Sequence, residues 1–141
     1  MDIEIQSSFH TMPRGWYWVV DPCYMLKERW PEICKAIDGR QELSISINNS
    51  PAYIWRQGND GAHPVYRRRT LQGRACVDSG MLSVIAIGAV EMDQERAQAA
   101  VPVNLERETM LQLTPATDGR KNAILRIGNI RVGKKPRHAQ W

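Results

Sequence analysis

Gly15-Trp16-Tyr17-Trp18-Val19-Val20-Asp21-Pro22-Cys23-Tyr24-Met25-Leu26 is the stretch from which the fold is read. It opens as an aromatic and β-branched run, the composition of a pleated and largely buried strand. Asp21-Pro22 ends the run, because proline lacks a ladder donor and holds its predecessor extended. Trp16 and Trp18 fall on one side of such a strand and Tyr17 on the other, and both tryptophans read as core. A strand with a sharp polar corner seeds a small β-rich domain.

Outward from this stretch the chain alternates short apolar runs with turn signals. Residues 3–5 form a short edge strand. Residues 29–37 form one helix: Pro31 and Glu32 suit its first turn, Asp38-Gly39 its stop, and Trp30, Ile33, Cys34 and Ile37 one apolar face. Strict alternation predicts a strand over residues 43–47. Asn48-Asn49-Ser50-Pro51 turns the chain into another over residues 52–56. Residues 57–61 are a glycine-rich loop and 74–77 a strand. Residues 81–90 are one fully buried strand, and 91–100 a loose connection with at most one helical turn. Residues 103–113 and 122–132 read as two long strands, with Gly128 as a bulge. The expected fold is α+β and β-rich: a single twisted antiparallel sheet, or a small sandwich, with one short helix packed on it. Residues 1–133 form one domain and 134–141 a basic tail.

A chain of 141 residues can bury a core without staples. No apolar run approaches the roughly 20 residues of a membrane span, and the N-terminus lacks the pattern of a secretory signal. Cys23, Cys34 and Cys76 show no close ligand spacing and are expected to be reduced, mostly buried thiols of a cytoplasmic protein. Net charge is informative once divided along the chain. Residues 119–141 hold 7 of the 19 basic side chains and no acid, leaving the preceding residues slightly acidic. That asymmetry points to an electrostatic contact, with nucleic acid or an acidic protein as partner.

Signals for catalysis are sparse. His10, His63 and His138 fall in expected loops or the tail, with no second ligand at metal-binding spacing, and no nucleophile elbow or phosphate loop is present. No cofactor and no metal is expected. Asp21 and Asp78 each end an apolar run at a tight turn. On neighbouring strands they could share a corner with Ser79 and hold a cation; as separate turn residues they would accept their own backbone N–H groups.

Gly-x-Tyr-x-Val over residues 15–19, Asp21-Pro22-Cys23-Tyr24, then Trp30, then Val77-Asp78-Ser79-Gly80 before an apolar run, together resemble a loose family of small phage and bacterial proteins without an established activity. The resemblance implies a compact β-rich fold of phage kinship and carries over no catalytic role. Residues beyond Thr114 lie outside it.

The expected function is a non-catalytic binding protein, a phage-encoded inhibitor of a host nucleic-acid or defence machine in the host cytoplasm. Its binding residues would be Arg126, Arg131, Lys134, Lys135 and Arg137, with Arg67, Arg68 and Arg69 as a second basic cluster. Two alternatives stand beside it. One is a small metal-dependent hydrolase or nucleotide-processing enzyme using Asp21 and Asp78. The other is a binder of an anionic small molecule, such as a nucleotide, between Arg67–Arg69 and the loop at Gly58 to Gly61.

Overall fold

The computed structural model describes residues 1–6 and 11–135. In chain order its strands are β1 (Ile3–Ile5), β2 (Thr11–Met12), β3 (Gly15–Val20), β4 (Glu42–Ile47), β5 (Ser50–Arg56), β6 (Gly61–Arg67), β7 (Thr70–Val77), β8 (Met81–Ala86), β9 (Val101–Leu105), β10 (Thr109–Thr114), β11 (Ile124–Ile127) and β12 (Ile130–Val132). Three helices accompany them: α1 (Pro22–Met25), α2 (Trp30–Ile37) and α3 (Gln94–Ala97). The strands form two antiparallel six-stranded sheets, ordered β1-β4-β5-β8-β3-β9 and β2-β10-β11-β12-β6-β7. The sandwich form of the expected fold is therefore the one found, with two sheets in place of one and more than one helix.

Alternation along the strands divides the apolar side chains between two cores. Tyr17 and Val19 of β3 face the second sheet, joining Tyr53, Trp55, Val65, Leu125 and Ile127 between the sheets. Val20, Ile45, Ile54 and Ile85 face the opposite way and pack under the helices with Ile33 and Ile37 of α2. Each of those two helical isoleucines is fully buried, and each such burial stabilises by about 1.5–3 kcal/mol. Pro31 stands in the first turn of α2 and Glu32 beside it, as the sequence predicts. Trp16 departs from expectation. It shares the side of Trp18 but stands at the end of β3, 57% exposed, while Trp18 is half-buried against the helix-side core.

The two sheets exchange strands at corners. The paired strands β5 and β8 of the first sheet continue as the paired β6 and β7 of the second, through residues 57–60 and 78–80. In the same way β3 and β9 are continuous with β2 and β10, through residues 13–14 and 106–108. Strands that switch sheets are the usual way a sandwich turns a corner. They also explain why the expected strand over residues 103–113 is two strands: the chain leaves one sheet at Leu105 and enters the other at Thr109. The strand expected over residues 122–132 is instead a hairpin. Gly128 and Asn129 form its two-residue turn, and Gly128 supplies φ +56°. The apolar run at residues 81–90 ends as a strand at Ala86 and closes in a 3-10 turn. No helix among the described residues is long and apolar enough to cross a membrane.

Candidate functional site

The first candidate is the corner where β3 ends. Asp21 is fully buried and caps α1, its Oδ1 accepting from the Cys23 N–H at 2.9 Å. Oδ1 also accepts from the Ser79 hydroxyl at 2.7 Å. Oδ2 accepts from the backbone N–H groups of Asp78 at 2.7 Å and Ser79 at 2.8 Å. The sequence left open whether Asp21 and Asp78 share a corner or cap separate turns; the structure brings them together, but in unequal roles. A carboxylate has about four acceptor positions, and here all four are filled. That leaves no lone pair directed at a cation. Asp78 is exposed and its Oδ2 accepts from the Tyr24 hydroxyl. Ser79 donates to Asp21 and not to a histidine, so no nucleophile–base pair forms. Among the described residues no group of three or more His, Cys, Asp and Glu side chains is placed to hold a metal ion. The geometry is that of a clamp, tying the end of β3 to the β7–β8 corner.

Cys23 lies against this clamp. Burial, followed by the Asp21 and Asp78 carboxylates, pushes its thiol up to about 12. The thiolate is the nucleophile, so Cys23 is expected to alkylate roughly 50-fold more slowly than an unperturbed thiol at pH 8. That figure allows for the greater intrinsic nucleophilicity of a high-pKa thiolate. Site-resolved mass spectrometry of iodoacetamide labelling from pH 8 to 11 checks this, with the Cys23 rate rising about tenfold per pH unit. A flat profile would contradict the arrangement. All three cysteines are free thiols, each half-buried where the sequence suggested mostly buried.

A second polar cluster lies beyond the same corner, and sequence reasoning missed it. Gln57 is fully buried: its Oε1 accepts from Trp55 Nε1 at 2.7 Å, and its Nε2 donates to the Ala123 carbonyl at 2.8 Å. His63, expected in a loop, is a buried residue of β6. Its Nδ1 lies 3.3 Å from Gln57 Nε2 and its Nε2 lies 2.6 Å from the Asn59 carbonyl. With Gln57 donating on one side and a carbonyl accepting on the other, the network assigns a neutral imidazole protonated at Nε2. Both ring nitrogens are engaged, and the network ties β5 and β6 to the residues before β11. His10 and His138 lie outside the described residues.

The second sheet carries the clearest electrostatic feature. Its six strands contain Arg67, Arg74, Arg126 and Arg131 and no acidic residue. The first sheet's strands hold Glu4, Glu42 and Arg56. The strand charges of the two sheets thus differ in sign. Because β12 pairs with both β11 and β6, the outward side chains Gln112, Arg126, Arg131 and Tyr66 form one row across four strands. Arg126 is exposed, whereas Arg131, also an expected binding residue, is only 7% exposed between its neighbours. Lys134 and Lys135 are exposed just past β12, and Arg137 lies outside the described residues. Arg68 and Arg69 form the exposed β6–β7 turn, with the Arg68 N–H on the Asn129 carbonyl at 2.7 Å. Arg67 is opposite Ile130, away from the row, and pairs with Glu106 at 2.7 Å.

This placement corrects the small-molecule alternative. Arg67–Arg69 and the Gly58–Gly61 loop stand at opposite ends of β6, which spans Gly61–Arg67. At about 3.3 Å per residue they are roughly 20 Å apart, too far for one nucleotide to touch both. Basic residues do meet a concavity elsewhere. A cleft of about 500 Å³ lies between the 106–108 and 128–129 turns, bordered by Arg68, Arg107, Arg126, Glu106 and Glu108. Neither Asp21 nor Asp78 borders it. No protein-family model, no curated protein and no solved structure matches the chain.

Proposed function

We propose that this is a non-catalytic binding protein whose outer face on the second sheet engages nucleic acid. One observation carries the reading: register places Arg126, Arg131 and Tyr66 side by side on a sheet whose strands contain no acid. Guanidinium groups on strands that carry no acid attract a polyanion, and an aromatic among them offers a base a stacking partner. The fully occupied Asp21 carboxylate supports binding over catalysis at the other candidate site.

The test is a charge-reversed variant, Arg126→Glu with Lys134→Glu and Lys135→Glu. Arg131 is left intact because it is packed. The parent is expected to bind nucleic acid with affinity that falls with salt, and three phosphate contacts lose about 20- to 40-fold between 50 and 200 mM. The triple variant should melt like the parent and lose most of that binding. Unchanged nucleic-acid binding, or binding to polyglutamate alone, would overturn the proposal; the latter would make an acidic protein the partner.

A further inference from the structure

We propose that the nucleic acid bound on this face is single-stranded, its bases stacking on Tyr66 and one nucleotide lying in the cleft beside Arg126. This rests on the reading just given and narrows its ligand. Shape is the first argument. Six strands at about 4.8 Å spacing make a sheet roughly 24 Å across, twice the roughly 12 Å width of a duplex major groove. Such a sheet can touch a duplex only along its phosphates.

The chemistry of the face is the second argument. Alongside its arginines the outward side presents apolar surface: Met110 is 60% exposed, Leu71 is 39% exposed and Tyr66 is half-buried. Leu71 is directly opposite Tyr66, so the two form one apolar patch at the end of the arginine row. Ridges of phosphate give these groups no partner, whereas an unpaired strand offers a base face to each. The cleft is continuous with the row, since Arg126 and Gln112 belong to both. Its volume of about 500 Å³ lies within the range of small-ligand sites. Arg68, Arg107 and Arg126 on its walls suit a phosphate. The Glu106 and Glu108 carboxylates there would repel phosphate and accept from base N–H groups, with Glu106 already held by Arg67.

The experiment compares a 12-nucleotide oligothymidylate, the matching 12-base-pair duplex and polyglutamate, by fluorescence polarisation at 50 and 200 mM salt. The single strand is expected to bind at least tenfold more tightly than the duplex. Tyr66→Leu, which keeps apolar bulk, should lose about tenfold in single-strand affinity with an unchanged salt slope. Tyr66→Phe should bind like the parent, separating stacking from damage to the fold. Arg126→Gln should reduce the single-strand salt slope by about 0.7. Equal or tighter duplex binding, or full single-strand affinity in Tyr66→Leu, would overturn the single-strand proposal and leave the basic-face reading standing. Absence of binding to either nucleic acid would overturn both.

Discussion

Asp21→Ala is expected to lower the melting temperature by roughly 10–15 °C, corresponding to about 3–5 kcal/mol for a chain of this size. The Asp21 carboxylate is fully buried and accepts from three backbone N–H groups and one hydroxyl. Deleting it leaves those donors facing an emptied pocket, and each orphaned buried donor costs about 1–3 kcal/mol. Ser79 and Asp78 lie close enough to the surface for water to offset part of the loss. Asp78→Asn provides the contrast. Asp78 is exposed and, among the described residues, its carboxylate accepts from the Tyr24 hydroxyl alone, so the change should stay within about 1 kcal/mol. Thermal melts of the two variants decide the matter. An Asp21→Ala protein that melts within a few degrees of the parent would show that the corner holds without its clamp.

Gly58→Ala is expected to destabilise by about 3 kcal/mol or more, seen as a lowered urea midpoint with an unchanged slope. Two effects add. Gly58 has φ +113°, a conformation that L side chains rarely adopt, and its new Cβ would lie 2.1 Å from the Lys121 carbonyl oxygen. That oxygen is backbone, so relief requires moving the segment that bridges Gly58 to Asn122 and binds Gln57 through Ala123. Gly61 separates the terms: its φ is +117°, but a Cβ there meets nothing within 4 Å. Gly61→Ala should therefore show the conformational part alone, about 1–2 kcal/mol. Equal midpoints for the two variants would mean that the close approach at Gly58 relaxes freely.

Features legible in the sequence were those that local chemistry decides. Asn48 and Asn49 both adopt positive φ in the β4–β5 hairpin, as side chains tolerant of that region should. The helix at Trp30–Ile37 follows from its proline, its apolar face and its glycine stop. Misreadings arose where tertiary context overrode a local signal. His63 was expected in a loop, yet β6 runs through it and Pro64, just past the point where β12 ends with Val132 opposite Val65. On that side the Pro64 carbonyl accepts from the Gly133 N–H at 2.9 Å, so the donor missing from proline falls at the fringe of the ladder. Gly128-Asn129 carried a hairpin signal that the apolar pattern on either side concealed. The basic surface was legible only in part. Arg126 and Arg131 were marked by composition, but Tyr66 joins them through β6–β12 pairing, a contact between residues far apart in the chain. Gln57 gave no periodic signal; a lone amide between Trp55 and a glycine loop was its only trace.

Among the described residues, four continuous runs of chain cross from one sheet to the other, two at each corner. The sheets therefore cannot part like the covers of a book, because separation would tear ladders on both sides. Local opening is confined to the fringes, and the layers behave as one cooperative unit. A molecule held on the outer face would thereby strengthen the distant helical layer as much as the strands it touches, since mass action acts on the whole folded state.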